Sequence, residues 1–119
     1  MSAILLSDDL MFTSRVTGTA RDLGLVVTPV RSPAAVLDLA RRLPPVCVIV
    51  DLAAAGADLP GLIGGLAELP RRPRLVAYGS HVDTATLRAA REAGCDEVLP
   101  RSKFVEDLPR KLADWLASA

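Results

Sequence analysis

A chain of 119 residues, half of them hydrophobic but only 3% aromatic, suffices for one domain with an aliphatic core. Its 14 basic residues balance 14 acidic ones, which leaves no overall field to hold a nucleic-acid backbone or an anionic membrane. No run reaches the roughly 18 apolar residues of a membrane span. The first ten residues lack a basic signal-peptide region, and Cys47 and Cys95 are spaced for neither a redox pair nor a zinc site. The expectation is a soluble, cytoplasmic, single domain over residues 1–119, with no direct nucleic-acid or membrane partner and two reduced, buried cysteines.

Residues 3–6 form a short apolar run that breaks at Ser7-Asp8-Asp9, as a buried strand does on entering a polar loop. Over residues 12–23 the apolar residues Val16, Ala20 and Leu23 recur at helical spacing, and Gly24 ends the pattern. Residues 25–30 read as a second strand, with Pro29 placing it at a sheet edge where a missing amide donor does no harm. Ser32-Pro33 opens a helix with a cap and a favoured first residue. Val36, Leu37, Ala40 and Leu43 make its apolar face, and Pro44-Pro45 ends it.

The run from Val46 to Asp51 is continuous, apolar and mostly β-branched, which is the signature of a strand covered on both faces in a parallel sheet. A small-residue loop is expected over residues 53–57, then a helix from Leu59-Pro60 to Leu69, weakened by Gly64-Gly65. Arg71, Arg72 and Arg74 surround Pro73 and read as a solvated turn on the opposite edge of the sheet from Asp51. A fourth strand over residues 75–78 gives way to Gly79-Ser80-His81, and Asp83 caps a helix that Gly94 stops. A short strand over residues 97–99 leads into a polar loop, Pro100-Arg101-Ser102-Lys103. The final helix carries Leu108, Leu112, Trp115 and Leu116 on one stripe, which puts Trp115 in the core and requires Pro109 to lie in the first turn. Strand and helix thus alternate five times, predicting an α/β fold with a doubly wound five-stranded parallel sheet, order 2-1-3-4-5, and helices on both faces.

Parallel strands end at one rim, where ligands and chemistry collect in open α/β sheets. Reading off the residues past each strand gathers Asp8, Asp9, Asp51, Gly79, Ser80 and Arg101 there. Three carboxylates so placed repel one another unless a cation or protons intervene, and hard oxygen ligands suit Mg²⁺. His81, the only histidine, reads as a solvent-facing loop residue. The sequence leaves Tyr78 unoriented.

Over its whole length the chain resembles the receiver domains of bacterial response regulators. The likeness rests on Ser7-Asp8-Asp9, on the VIVD ending at Asp51, and above all on REAGCDEVL, residues 91–99, close to that family's AGADDYL passage. It implies a flavodoxin-like fold, with Asp51 as the phospho-acceptor and with Asp8, Asp9, Asp51 and the Ala53 carbonyl holding Mg²⁺. It also implies protein partners: a histidine kinase, a phosphotransfer protein or a downstream effector, or a second copy of the chain on the helical faces that include Arg88. Departures from the pattern are concentrated in the switch. Gly79 stands where the family has a Thr or Ser hydroxyl, with Ser80 one place late. Arg101, or Lys103 if the loop carries an insertion, stands for its Lys, and Val98 for its switching aromatic. The residues therefore favour a pseudo-receiver, a non-enzymatic module with a retained acidic Mg²⁺ pocket that signals by protein-protein interaction. The alternative is a phosphorylatable receiver of a two-component phosphorelay that uses Ser80 and Arg101 or Lys103. A flavin or nucleotide carrier is disfavoured, because the loop after the first strand repels phosphate. With no effector domain in the sequence, the output is expected to pass through another protein.

Overall fold

The computed structural model describes residues 2–55 and 58–117. Five parallel strands, β1 (Ser2–Leu6), β2 (Val26–Val30), β3 (Cys47–Asp51), β4 (Arg74–Gly79) and β5 (Glu97–Pro100), form one sheet in the order β2-β1-β3-β4-β5. Among the described residues six α-helical segments connect and follow them: α1 (Leu10–Asp22), α2 (Pro33–Arg42), α3 (Leu52–Ala55), α4 (Leu59–Ala67), α5 (Thr84–Ala93) and α6 (Arg101–Leu116). The doubly wound sheet read from the sequence is the one observed.

β3 is central, and all five of its residues are buried. Its alternation splits the core by period two. Cys47 and Ile49 pack with Phe12, Val16, Phe104 and Leu112 of α1 and α6, whereas Val48 and Val50 pack with Val36, Leu62 and Leu87 of α2, α4 and α5. Each such aliphatic side chain contributes roughly 1.5–3 kcal/mol relative to exposure. β2 pairs only with β1, so Pro29 lies on an edge strand as expected.

The helix ends follow their residues. Ser32 Oγ accepts the Ala35 amide at 3.1 Å with Pro33 opening α2, and Asp83 Oδ1 accepts the Thr86 amide at 3.1 Å at the start of α5. Gly94 caps α5 at φ 111°, in the left-handed region that glycine enters without strain. Gly65 has a packing reason to be glycine. A Cβ there would fall 2.6 Å from Leu37 Cδ2, so its bare backbone lets α4 approach α2.

Several boundaries differ from the sequence reading. The loop expected over residues 53–57 is in part helical: α3 follows β3 without a break, and Gly56 and Ala57 lie outside the described residues. α1 begins at Leu10, two residues before Phe12, and α4 ends at Ala67, two residues before Leu69. Leu43, assigned to the apolar face of α2, caps its end and is 60% exposed. The polar loop expected at residues 100–103 is absent: Pro100 ends β5 and residues 101–103 are in the first turn of α6, so Pro109 falls inside the helix rather than in its first turn. Pro109 is exposed, and water can take the carbonyl that its missing amide leaves free. Cys47 is buried as expected, but Cys95 is only half-buried; both are free thiols.

Candidate functional site

Asp51 ends β3 at the carboxyl rim and is 2% exposed. A carboxylate this deep must be fully bonded or it destabilises the fold. Its Oδ1 accepts the Ala53 amide at 3.0 Å, which the tight entry into α3 makes available, and its Oδ2 accepts the Ser7 hydroxyl at 3.3 Å. Ser7 is where it is because Leu6 pairs with Val50, so that the next residue of each chain segment faces the other across the end of the sheet.

The countercharge comes from α6. Arg101 Nη2 lies 3.7 Å from Asp51 Oδ2 and Nη1 lies 3.6 Å from Asp9 Oδ2. Asp9 caps α1, its Oδ1 accepting the Phe12 amide at 3.0 Å. Each carboxylate therefore gives one oxygen to a backbone amide and turns the other toward one shared guanidinium. These separations exceed the roughly 2.7–2.9 Å of a charge-assisted hydrogen bond, so the attraction is chiefly coulombic. Below the guanidinium lie aromatic rings: its carbon is 5.0 Å from the Phe12 centroid and 5.9 Å from that of Tyr78. A planar cation over a ring face gains electrostatically from the ring quadrupole.

Tyr78, which the sequence did not orient, pairs with Asp51 across the β3–β4 ladder. It is fully buried with Phe12 and Phe104, at ring separations of 4.5 and 4.7 Å. Its hydroxyl lies close to Ser7 and Asp51 without meeting the geometry of a hydrogen bond to either, and has no other partner among the described residues. Burial pushes the phenol well above its ordinary pKa, and the nearby Asp51 charge adds to that.

The other predicted positions are divided. Asp8 is exposed, and among the described residues no group of three or more His, Cys, Asp or Glu side chains is placed to hold a metal ion. Ala53 presents its amide to Asp51. Gly79 lies over Leu52 and Leu87, whose methyl groups would be 3.3 and 3.4 Å from an added Cβ, so the place of the expected hydroxyl is filled by aliphatic packing. The Ser80 hydroxyl is exposed and accepts the Val82 amide at 3.4 Å, closing its own turn. Lys103 faces away along α6, 3.4 Å from Asp107, which leaves Arg101 as the cation at Asp51. His81 is exposed. An open cleft of about 890 Å³ runs from Asp51 over Gly79 and Ser80 to Arg101 and Val105, between α5 and α6.

Sequence reasoning missed Ser7, Phe12 and Tyr78. Counting β1 to its last buried residue would have found Ser7, because the expected pairing of the first and third strands sets it beside Asp51. Phe12 and Tyr78 gave no comparable signal, since stacking with Arg101 depends on where α1 and α6 begin.

No protein-family model matches the sequence, and no curated protein sequence matches it. Solved structures do match. A candidate response regulator from Chloroflexus aurantiacus superposes with a TM-score of 0.82 at 19% identity, covering 98% of each chain. The receiver domain of the sensor histidine kinase PA1611 from Pseudomonas aeruginosa, with magnesium coordinated in its active-site cleft, gives 0.81 at 19% identity over 98% of each chain. This chain has the receiver fold. A response regulator from Thermotoga maritima, at a TM-score of 0.80 and 15% identity over 98% of each chain, agrees. On a receiver fold the carboxyl rim is the conspicuous place for chemistry, and here an arginine occupies its centre.

Proposed function

We propose that this receiver-fold chain is a pseudo-receiver: a signalling module that acts by binding another protein, with Arg101 in the role of a built-in counter-ion at the acidic rim. The observation that carries this reading is the single guanidinium shared by Asp9 and Asp51 and seated over Phe12. It offsets one of the two facing carboxylate charges without a metal. The parts that would hold and report a phosphoryl group support the same reading: Gly79 has no hydroxyl and is packed by Leu52 and Leu87, Ser80 is engaged in its own turn, and Val98 has no ring to reorient.

Mg²⁺ fits the donor set only after Arg101 withdraws, because the one oxygen that each of Asp9 and Asp51 leaves uncommitted to a backbone amide is turned to the guanidinium. Asp9 and Asp51 would then hold it, with Asp8 and the Ala53 carbonyl on the adjoining loops. The ion would supply the positive charge that phosphoryl transfer to Asp51 needs. By its attraction to both carboxylates, Arg101 opposes that exchange. The partner, whether a kinase, a phosphotransfer protein or an effector, meets the domain at the helical faces bordering the cleft, next to the turn before α5 in which Val82 is 75% exposed.

Amide NMR spectra test the reading: protein alone, with Mg²⁺, and with Mg²⁺ plus beryllofluoride, on wild type and Asp51→Asn. The pseudo-receiver reading predicts that beryllofluoride leaves α5 and β5 unmoved. Shifts there in wild type but not in Asp51→Asn would instead establish a phosphorylatable receiver.

A further inference from the structure

The cleft at the carboxyl rim is larger than the function proposed above requires. It encloses about 890 Å³ between the starts of α5 and α6, within the range of roughly 300–1,000 Å³ that small-molecule sites occupy. Leu52, Gly79 and Val105 give it an apolar floor and wall. Such a surface suits a ligand that is itself mostly apolar.

Several of the polar groups around it are already engaged. Ser80 Oγ accepts the Val82 amide, and the two Asp83 oxygens accept the Thr86 amide at 3.1 Å and the Thr86 hydroxyl at 2.6 Å. Asp51 accepts from Ala53 and Ser7. Arg101 differs from these. Its two carboxylates stand at 3.6 and 3.7 Å, too far for hydrogen bonds, and among the described residues its guanidinium donates no hydrogen bond. The buried rings of Phe12 and Tyr78 back it on the inside, and its side chain, 45% exposed, lines the cleft. A positioned cation therefore offers N–H donors at the polar end of an apolar cleft.

Charge decides what those donors can take. Asp51 and Asp83 line the cleft with Arg101, and Asp9 faces the same guanidinium. Even a protonated His81 leaves the carboxylates in excess. A ligand anion at Arg101 would enter beside Asp9 and Asp51 and be repelled by both. A neutral carbonyl oxygen accepts an N–H without adding charge, and hydrogen bonds to a charged donor are stronger than those between neutral groups.

We infer that this cleft binds a small uncharged molecule, apolar over most of its surface and carrying a carbonyl oxygen that accepts from Arg101. The inference rests on the function proposed above in one respect: it takes the rim with Arg101 in place and without a metal. The bound molecule lies between α5 and α6, beside the helical faces assigned to the protein partner.

The experiment is an amide NMR titration of the full chain in EDTA with benzamide, benzoate and acetamide at matched ionic strength. Benzamide should give saturable shifts at residues 79–83 and 101–105. Benzoate and acetamide should each bind at least fivefold more weakly, the first for its charge and the second for its missing apolar body. Arg101→Met, which keeps the length and removes the donors, should weaken benzamide at least threefold. Val105→Ser, which thins the apolar wall, should do the same, so the test holds if either variant fails to fold. Arg15→Gln, an exposed change on α1, should leave binding unaltered. Non-saturating shifts with benzamide, benzoate binding as tightly as benzamide, or unchanged affinity in both folded variants would overturn the inference. Acetamide binding as tightly as benzamide would overturn the apolar assignment. Beryllofluoride shifts in α5 and β5 with benzamide binding intact would overturn the pseudo-receiver reading alone, whereas absent benzamide binding with α5 and β5 unmoved by beryllofluoride would overturn this inference alone.

Discussion

Replacing Arg101 with Gln removes the guanidinium from between two carboxylates and keeps a polar chain at the start of α6. At 3.7 Å the Coulomb attraction to Asp51 is about 1 kcal/mol in water and about 4–5 kcal/mol at an effective dielectric constant of 20. The Asp51 side chain is 3% exposed but that of Arg101 is 45% exposed, which places the pair toward the lower figure, at about 1–2 kcal/mol. The partly exposed Asp9 pair and the Phe12 stack add under about 1 kcal/mol together. The expected loss is about 2 kcal/mol, or roughly 8 °C in Tm for a domain of this size. Thermal unfolding in EDTA measures it. Adding 10 mM Mg²⁺ should recover more of the loss in the variant than it adds to wild type, because a ligand that binds only the folded state stabilises it by mass action. A double-mutant cycle with Asp51→Asn should return a coupling of about 1–2 kcal/mol. An Arg101→Gln protein that melts within 1 °C of wild type and gains nothing from Mg²⁺ would refute the counter-ion argument.

Three further outcomes follow from the structure. Tyr78→Phe removes a buried hydroxyl without a hydrogen-bond partner and should leave stability unchanged or raise it by up to about 1 kcal/mol in urea unfolding; a loss above 1 kcal/mol would show that the hydroxyl is bonded in solution. Gly64→Ala meets nothing within 4 Å and should stabilise α4 by about 0.5–1 kcal/mol, whereas Gly65→Ala must first displace Leu37 and should gain less; equal gains would contradict the close approach of α2 and α4. The Thr86 hydroxyl and amide hold the Asp83 carboxyl below its ordinary pKa of 3.8, so its contribution is present above that value and is lost as pH falls through the lower folded value. The Tm difference between wild type and Asp83→Ala should therefore shrink below pH 3.8 and be constant from pH 5 to 7.

The sheet was legible because its strands are short, apolar and punctuated. The β3 pattern, Pro29 at an edge and Gly94 after a helix each carry a local physical reason that needs no knowledge of the rest of the chain. The rim was legible only as a set of residues. Parallel topology puts Asp9, Asp51 and Arg101 together, but which oxygen meets which nitrogen depends on helix starts, and both relevant starts were displaced. α1 begins at Leu10 with Asp9 as its cap, and α6 begins at Arg101 rather than after Lys103. Those shifts of a few residues separate Lys103 from the site and leave Asp8 exposed. The arginine turn is solvated as read, but its long-range ion pair was not legible for a related reason: Arg72 and Asp96 are 24 residues apart, and no local pattern announces their contact.

The start of α6 breaks the rules that govern an isolated helix. Arg101 and Lys103 lie in its first turn, no acid accompanies them, and Pro100 offers no side-chain cap. Cations at a helix N-terminus oppose the helix dipole, at a cost of about 0.3–1 kcal/mol each. Lys103 is relieved by Asp107 one turn later, a pairing local to the helix. Arg101 has no such partner within α6 and is compensated across the rim by Asp9 and Asp51, which the ends of two other elements supply. A helix start that is locally unfavourable and is balanced only by the site points to the site as the reason for the residue. The same balance explains why arginine rather than lysine suits this position: a planar guanidinium can face two carboxylates at once while resting on Phe12, whereas an ammonium group offers a single point charge and no flat face. Arg101→Lys should accordingly keep the charge but recover only part of the stability that Arg101→Gln loses, with a shortfall of about 0.5–1 kcal/mol from the missing stack.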